Sequence, residues 1–281
     1  GGRATYSVER RDALDAGRWG PVDEDACFVV ALEVLDNLPH DRVTRVDENT
    51  SATTDETKMG NETQRLAQTR VFARRRGEDN AVDGFEQREE PLRDPLIARA
   101  LDAIGDDEGF FSSFGSFGKA ASDRWIRGAR DWNARFVPTG ALALLETLHE
   151  RRPRHRLIAA DFDSLPNVRV PGINAPLVAT QSPGGRTEDL ATYLEHVGAC
   201  DVFFPTNFDH LARLDAFARA RTGGGTKRLE NGSSSRLSKP SARVVTTREF
   251  MRAHADLGAT ATGSGYNPLT QDFANTKFFL S

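Results

Sequence analysis

The segment Cys27 to Leu35, CFVVALEVL, is apolar at every position but Glu33 and breaks into the polar turn Asp36-Asn37-Leu38-Pro39-His40-Asp41. A run apolar on both faces predicts a central strand of a parallel sheet. Open α/β sheets bind ligands beyond the carboxyl ends of such strands, which places this turn where chemistry is expected. Leu157 to Ala160, closed by Asp161-Phe162-Asp163, and Val202-Phe203-Phe204 before Pro205 repeat the pattern. Helical periodicity lies between and around them, over Pro91 to Ile104, Lys119 to Arg135, Gly140 to Arg151 with Thr139 as N-cap, and Phe208 to Arg221 with Thr206 or Asn207 as cap. Thr246-Thr247-Arg248-Glu249 has capping-box spacing ahead of Phe250 and Met251. Strands alternating with helices predict a doubly wound α/β fold.

Two stretches fall outside that pattern. Residues 47–64 carry only Ala52 and Met59 as apolar side chains, too few to offset the entropy of ordering, and read as a solvated loop. Residues 222–242 are rich in Gly and Ser and read as a flexible loop. The Gly223-Gly224-Gly225-Thr226-Lys227 within it is not read as a phosphate loop. Ala220 stands where that motif has its first glycine, and no apolar strand precedes it. With 37 basic and 41 acidic residues the net charge is −4, so no whole-chain basic footprint points to nucleic acid. No apolar stretch approaches the roughly 20 residues of a membrane helix. Cys27 and Cys200 sit in apolar runs and read as reduced, buried thiols.

Among candidate chemical residues, Glu33 stands out, because a carboxylate in an apolar strand needs a partner in the protein or in a substrate. Asp36, three residues on, is expected to face the same crevice. The structural alternative pairs Glu33 with an arginine and uses Asp36 to cap the next turn. His149 and His155 flank an arginine-rich turn without paired cysteines, so they read as a solvated helix end and not as metal ligands. Arg74-Arg75-Arg76 reads as a solvated face. The phenylalanine-rich segment 109–118 reads as packing.

The phrase VALEVLDNLPHD with the preceding RRDALDAGRWGPVDEDACFV resembles the MidA-like family, whose animal members are mitochondrial complex I assembly factors that methylate protein arginine. Phe136 to Leu142 (FVPTGAL), Leu157 to Pro166, Pro171 to Gln181, Asp201 to Leu211 and the closing SGYNP and FANTKFFLS carry the same resemblance, in order, over nearly the whole chain. The resemblance implies a class I, Rossmann-like methyltransferase sheet that uses S-adenosyl-L-methionine, with a family-specific helical insertion at 91–151. It also implies symmetric dimethylation of an arginine on a respiratory complex I subunit in the mitochondrial matrix, and no insertion into the membrane.

Under that resemblance the residues take definite roles. A guanidinium stays protonated, so its methyltransferase must hold a cation and orient one nitrogen. Glu33 and Asp36 are the expected catalytic carboxylates, while Asn37, Pro39 and His40 form the polar-x-Pro turn beside the target nitrogen, with His40 also able to act as a base. Asp12 and Ala13 resemble the segment that contacts adenosine, a helix cap or surface turn being the other reading of Asp12. The family's Gly-x-Gly cofactor loop lies upstream of the segment with which this chain opens. The whole of 1–281 therefore reads as a partial methyltransferase domain, incomplete on its N-terminal side and beginning near the third strand of its sheet. Such a chain is expected to bind cofactor poorly or not at all. The rival expectation is a catalytically inactive protein that uses the fold to hold a respiratory subunit during assembly. A third is a methyltransferase for a small molecule or another residue type.

Overall fold

The computed structural model describes residues 7–46, 66–76, 81–105, 134–182, 184–195, 198–222 and 242–281. The 47–64 loop, the 109–118 segment, nearly all of the Lys119 to Arg135 helix and the Gly/Ser stretch after Thr222 lie outside them. The protein is mixed α/β. Its main sheet has the order β1 (Cys27–Leu32), β6 (His155–Phe162), β11 (Thr276–Leu280), β10 (Arg243–Thr246). β1 and β6 run parallel, Cys27 beside His155 through Leu32 beside Ala160, while β11 is antiparallel to both β6 and β10.

One face of this sheet is closed by two helices, α2 (Thr139–Arg151) and α3 (Phe208–Arg221), with α1 (Pro95–Ile104) against them. Leu142, Leu145 and Leu148 of α2 and Leu211 and Leu214 of α3 are buried with Ala31, Leu157, Ala159 and Phe279 in the principal core, and the partly buried Val29 packs against it. Local chemistry sets the helix starts: Asp94 caps α1 ahead of Pro95, and the Asn207 carboxamide accepts from Asp209 N and His210 N. α4 (Thr247–His254) begins in a full capping box between Thr246 and Glu249, as the spacing predicts. Its Phe250 and Met251 cover the opposite face of the sheet over Ala160, Val245 and Phe278. The short α5 (Leu257–Thr260) and α6 (Pro268–Gln271) follow before β11.

Two smaller antiparallel sheets complete the molecule. β2 (Asp41–Arg45) leaves the turn after β1 and pairs with β3 (Leu66–Arg76) on one side and β5 (Ala134–Val137) on the other, with β4 (Ala81–Pro91) outside β3. The second joins β8 (Thr187–Leu190), β7 (Leu177–Gln181) and β9 (Cys200–Phe203). The 91–151 segment, expected to be helical, holds a strand as well as helices among its described residues, and α1 and α2 belong to the principal core.

Four expectations are corrected. β1 is an edge strand among the described residues, not a central one: it pairs with β6 alone, and Phe28, Val30 and Leu32 are 74%, 59% and 57% exposed. Thr139 is the first residue of α2 and not its cap, because its hydroxyl donates to the Asp41 carboxylate at 2.6 Å. The two cysteines are half-buried, not buried. His149 and His155 are buried, not solvated. His149 Nε2 shares a hydrogen bond of 2.8 Å with the buried Asp215, Arg219 donates to the same carboxylate, and the two imidazoles lie 4.8 Å apart. A helix end that packs on a neighbouring helix buries its polar residues in pairs.

Candidate functional site

The parallel pair β1 and β6 ends in two loops that interlock. Past Leu32 the chain turns through Glu33, whose φ of 51° is the left-handed region that side chains rarely occupy, at a cost of about 1 kcal/mol or more. Glu33 N still donates to Ala160 O at 2.9 Å, so the ladder holds the turn in place. Its side chain is thereby swung out of the sheet and is exposed; the buried strand carboxylate expected from the sequence becomes one that faces solvent. The chain then forms a single 3₁₀ turn over Leu35–Asn37.

Asp161, at the end of β6, organises that turn. It is fully buried, and one carboxylate oxygen accepts from Leu35 N at 2.8 Å and Asp36 N at 3.1 Å while the other accepts from Phe162 N at 2.8 Å. Asp36 is buried too. Its Oδ1 accepts from Asn37 Nδ2 at 2.7 Å, and its carbonyl accepts from Phe204 N at 3.0 Å, tying in the loop after β9. Burial pushes both carboxyls up. Asp36 is raised by desolvation, with the Asn37 amide opposing and the Glu33 charge adding to it. Asp161 is raised to about 6 by desolvation, and the nearby Asp36 adds to that shift. Among the described residues no basic side chain pairs with Glu33, Asp36 or Asp161. Three carboxyl groups gathered without a cation make a site whose negative potential favours a positively charged ligand.

The other wall is built from His40. Its ring stacks on Phe204 with centroids 4.0 Å apart and planes at 8°, and Nδ1 lies 3.0 Å from Leu38 O. Burial drives the imidazole down to about 4, against the pull of that carbonyl. The ring is therefore neutral at pH 7, with its proton on Nδ1 facing the carbonyl and Nε2 left as an acceptor. Pro39 O accepts from Gly140 N at 2.9 Å, and a Cβ at Gly140 would come within 2.7 Å of Pro39, so the start of α2 fits closely under the Pro39-His40 turn. A cavity of about 20 Å³ opens between Leu35, His40, Pro138, Asn174, Thr206 and Asn207. That volume admits about one water-sized sphere.

The structure thus brings Glu33, Asp36, Asn37, Pro39 and His40 into one loop at the carboxyl end of the sheet. Asp12 and Ala13 stand apart from it: Asp12 Oδ1 caps its own turn by accepting from Leu14 N at 2.9 Å, Ala13 O accepts from Trp19 Nε1 at 2.9 Å, and no hydrogen bond joins either to residues 33–40. Sequence reasoning missed Asp161, although an acidic residue closing the second apolar run was the available signal. It also missed Phe204, whose role as a stacking platform no spacing announces. Among the described residues no group of three or more His, Cys, Asp or Glu could hold a metal ion, and no helix is long and apolar enough to cross a membrane.

The sequence profile of a family described as "Putative S-adenosyl-L-methionine-dependent methyltransferase" matches residues 10–224. No protein of curated function matches the chain. Two solved structures from Burkholderia thailandensis resemble it, each at 12% identity. One, described as a "likely methyl transferase" bound to S-adenosyl-homocysteine, has a TM-score of 0.49 with 93% of this chain and 54% of that chain covered. The other, an uncharacterized protein of the same superfamily, has a TM-score of 0.45 with 92% and 55% covered. The chain spans about half the length of these structures.

The described residues fit the acceptor side of such an enzyme better than its cofactor side. Close approach of a ligand to the backbone is what a glycine after a parallel strand permits. Neither parallel strand here is followed by one: residues 33–40 after β1 and 163–171 after β6 contain no glycine. The cavity beside them is far too small for a nucleoside.

Proposed function

The chain belongs to this family of S-adenosyl-L-methionine-dependent methyltransferases, and we propose that the acceptor it serves is a cationic nitrogen, the guanidinium of a protein arginine. The observation that supports this is the cluster of the exposed Glu33 with Asp36 and Asp161, two carboxyl groups raised by burial, with no cation from the described residues among the three. A guanidinium entering beside them would relieve that repulsion and find forked acceptors suited to its planar donors. Glu33, exposed and displaced from the strand, is the side chain free to close on the substrate, while Asp36 is held by Asn37. N-methylation replaces one N–H by N–C, so a proton must leave. The exposed Glu33 carboxylate beside that turn and the neutral Nε2 of His40 beyond it are the acceptors this loop offers.

The resemblance of the 30–41 phrase to the MidA-like family extends the proposal to symmetric dimethylation on a respiratory complex I subunit, in mitochondria. The test is methyl transfer by the full-length protein to arginine-containing peptides. Charge-assisted hydrogen bonds contribute about 1.5–3 kcal/mol each, so Glu33→Gln or Asp36→Asn is expected to lower kcat/KM by about 10- to 150-fold. Near-wild-type turnover by Glu33→Gln would remove Glu33 from the mechanism, and preference for a neutral acceptor would refute the cationic one. The rival reading, carried by the resemblance alone, is a protein of this fold that binds a respiratory subunit without catalysis. That rival predicts subunit binding which survives loss of the cofactor.

A further inference from the structure

Beside the acidic turn lies the cavity of about 20 Å³ to which the methyl-transfer reading assigns no part. Leu35, Leu211 and Leu214 make part of its wall apolar, and His40, Asn174, Thr206 and Asn207 make the rest polar. Each of these four brings a hydrogen-bonding group that the fold leaves over. His40 Nδ1 is taken up by Leu38 O, so Nε2 remains. Asn207 Oδ1 caps α3 by accepting from Asp209 N and His210 N, so Nδ2 remains. Asn174 sits at a φ of 56°, in the left-handed region that asparagine tolerates better than most side chains. Its carboxamide is engaged only by a 3.4 Å contact of Nδ2 with Phe136 O. Thr206 is the clearest case. It is 9% exposed, its N–H donates to Phe162 O at 2.7 Å, and its hydroxyl meets no hydrogen-bond partner among the described residues. Buried hydroxyls are ordinarily bonded, to protein or to ordered water.

We propose that this cavity is the binding site of one water molecule, which donates to His40 Nε2 and is held by Thr206 Oγ1 and by the carboxamides of Asn174 and Asn207. The size of the space and its chemistry agree on that occupant. About 20 Å³ suits one water and excludes a larger ligand. A buried water is retained by roughly two to four polar partners, which the four side chains supply. A cation is disfavoured, because no carboxylate lines the cavity and the N-terminus of α3, the positive end of its dipole, forms part of the wall. Thr206 is thereby a positioning residue that acts through His40. The Phe204 stack fixes the plane of the ring and Leu38 O one of its nitrogens; the water fixes the other and holds the ring against rotation. In the reading of the site as one for a cationic nitrogen, an engaged Nε2 leaves the Glu33 carboxylate as the acceptor open to substrate. That consequence rests on the arginine reading; the water site does not.

A high-resolution crystal structure of the protein is expected to show a density peak within hydrogen-bond distance of both His40 Nε2 and Thr206 Oγ1. A cavity without density, or one that holds an ion, overturns the proposal. Nitrogen NMR of the imidazoles reads the same contact in solution at pH 7, where the His40 ring is neutral. Thr206→Val keeps the shape of the side chain but not its hydroxyl. In that variant the Nε2 resonance is expected to move downfield, toward that of a ring nitrogen that accepts no hydrogen bond. Thr206→Ser restores the hydroxyl and is expected to keep the wild-type position. An unmoved resonance in Thr206→Val, or an equal displacement in Thr206→Ser, overturns the role of Thr206. The crystal structure decides even where the valine variant does not fold. Neither measurement needs a methyl acceptor, so failure of the arginine reading leaves both results standing.

Discussion

Asp161→Asn isolates the energetics of the buried carboxylates. The Asp161 carboxyl is raised from 3.8 to about 6, so the folded protein binds a proton more tightly than the unfolded chain across that interval. For a raised carboxyl the sign is fixed: its contribution is most favourable below the unfolded value and is lost as pH rises through the folded one. Roughly two units at 1.36 kcal/mol each make about 3 kcal/mol over the full window, of which about 2 kcal/mol falls between pH 4.5 and 7.5. The asparagine cannot titrate, and it also removes the charge that Asp36 faces. Its single oxygen can still serve Leu35 N and Asp36 N but leaves the amide against Phe162 N, a mismatch of about 1–3 kcal/mol. Urea unfolding of both proteins at the two pH values is the assay. The variant is expected to be less stable at pH 4.5, by about 2 kcal/mol more than at pH 7.5. An identical pH slope in the two proteins would refute the reasoning.

Three further outcomes are expected. Gly140→Ala forces a Cβ against the Pro39 backbone, so it should cost about 1–3 kcal/mol in urea unfolding and shift the amide resonances of residues 37–41; a silent substitution would show that α2 does not set that turn. His149→Ala leaves the buried Asp215 with Arg219 alone and should cost about 2 kcal/mol or more by the same method, whereas a loss under about 0.5 kcal/mol would mean that the pair is not part of the core. Nitrogen NMR of the imidazoles should show His40 neutral at pH 5.5 with its proton on Nδ1, since its pKa is lowered to about 4; a charged ring at that pH contradicts its burial.

Much of the architecture was legible because its signals are local. The apolar runs at 27–35, 157–160 and 202–204, which mark the strands β1, β6 and β9, the asparagine cap of α3 and the Thr246 capping box all follow from neighbouring residues. The β3–β4 hairpin was not legible. Its strands read LAQTRVFARRR and AVDGFEQREEP, where long charged side chains occupy both faces and pair across the ladder, as Arg70 does with Glu90, so no period of two emerges. Burial of His149 depends on α3 arriving from far along the chain, which no window around it contains. At the site the acidic turn was found by its position after an apolar strand. Its support was not: Asp161 and Phe204 reach it from other strands, and only the folded sheet places them there.

The acidic turn is fastened almost entirely by main-chain groups. Glu33 N bonds to Ala160 O, Leu35 N and Asp36 N to Asp161, Phe204 N to Asp36 O, and Gly140 N to Pro39 O. The Glu33 side chain takes no part in that fastening and lies exposed on it, whereas Asn37 Nδ2 donates to the Asp36 carboxylate and Pro39 packs closely over Gly140. The identity of residue 33 can therefore drift while the loop keeps its shape. A descendant of this chain could change the charge the loop presents by point mutation at that position, without rebuilding the platform that carries it.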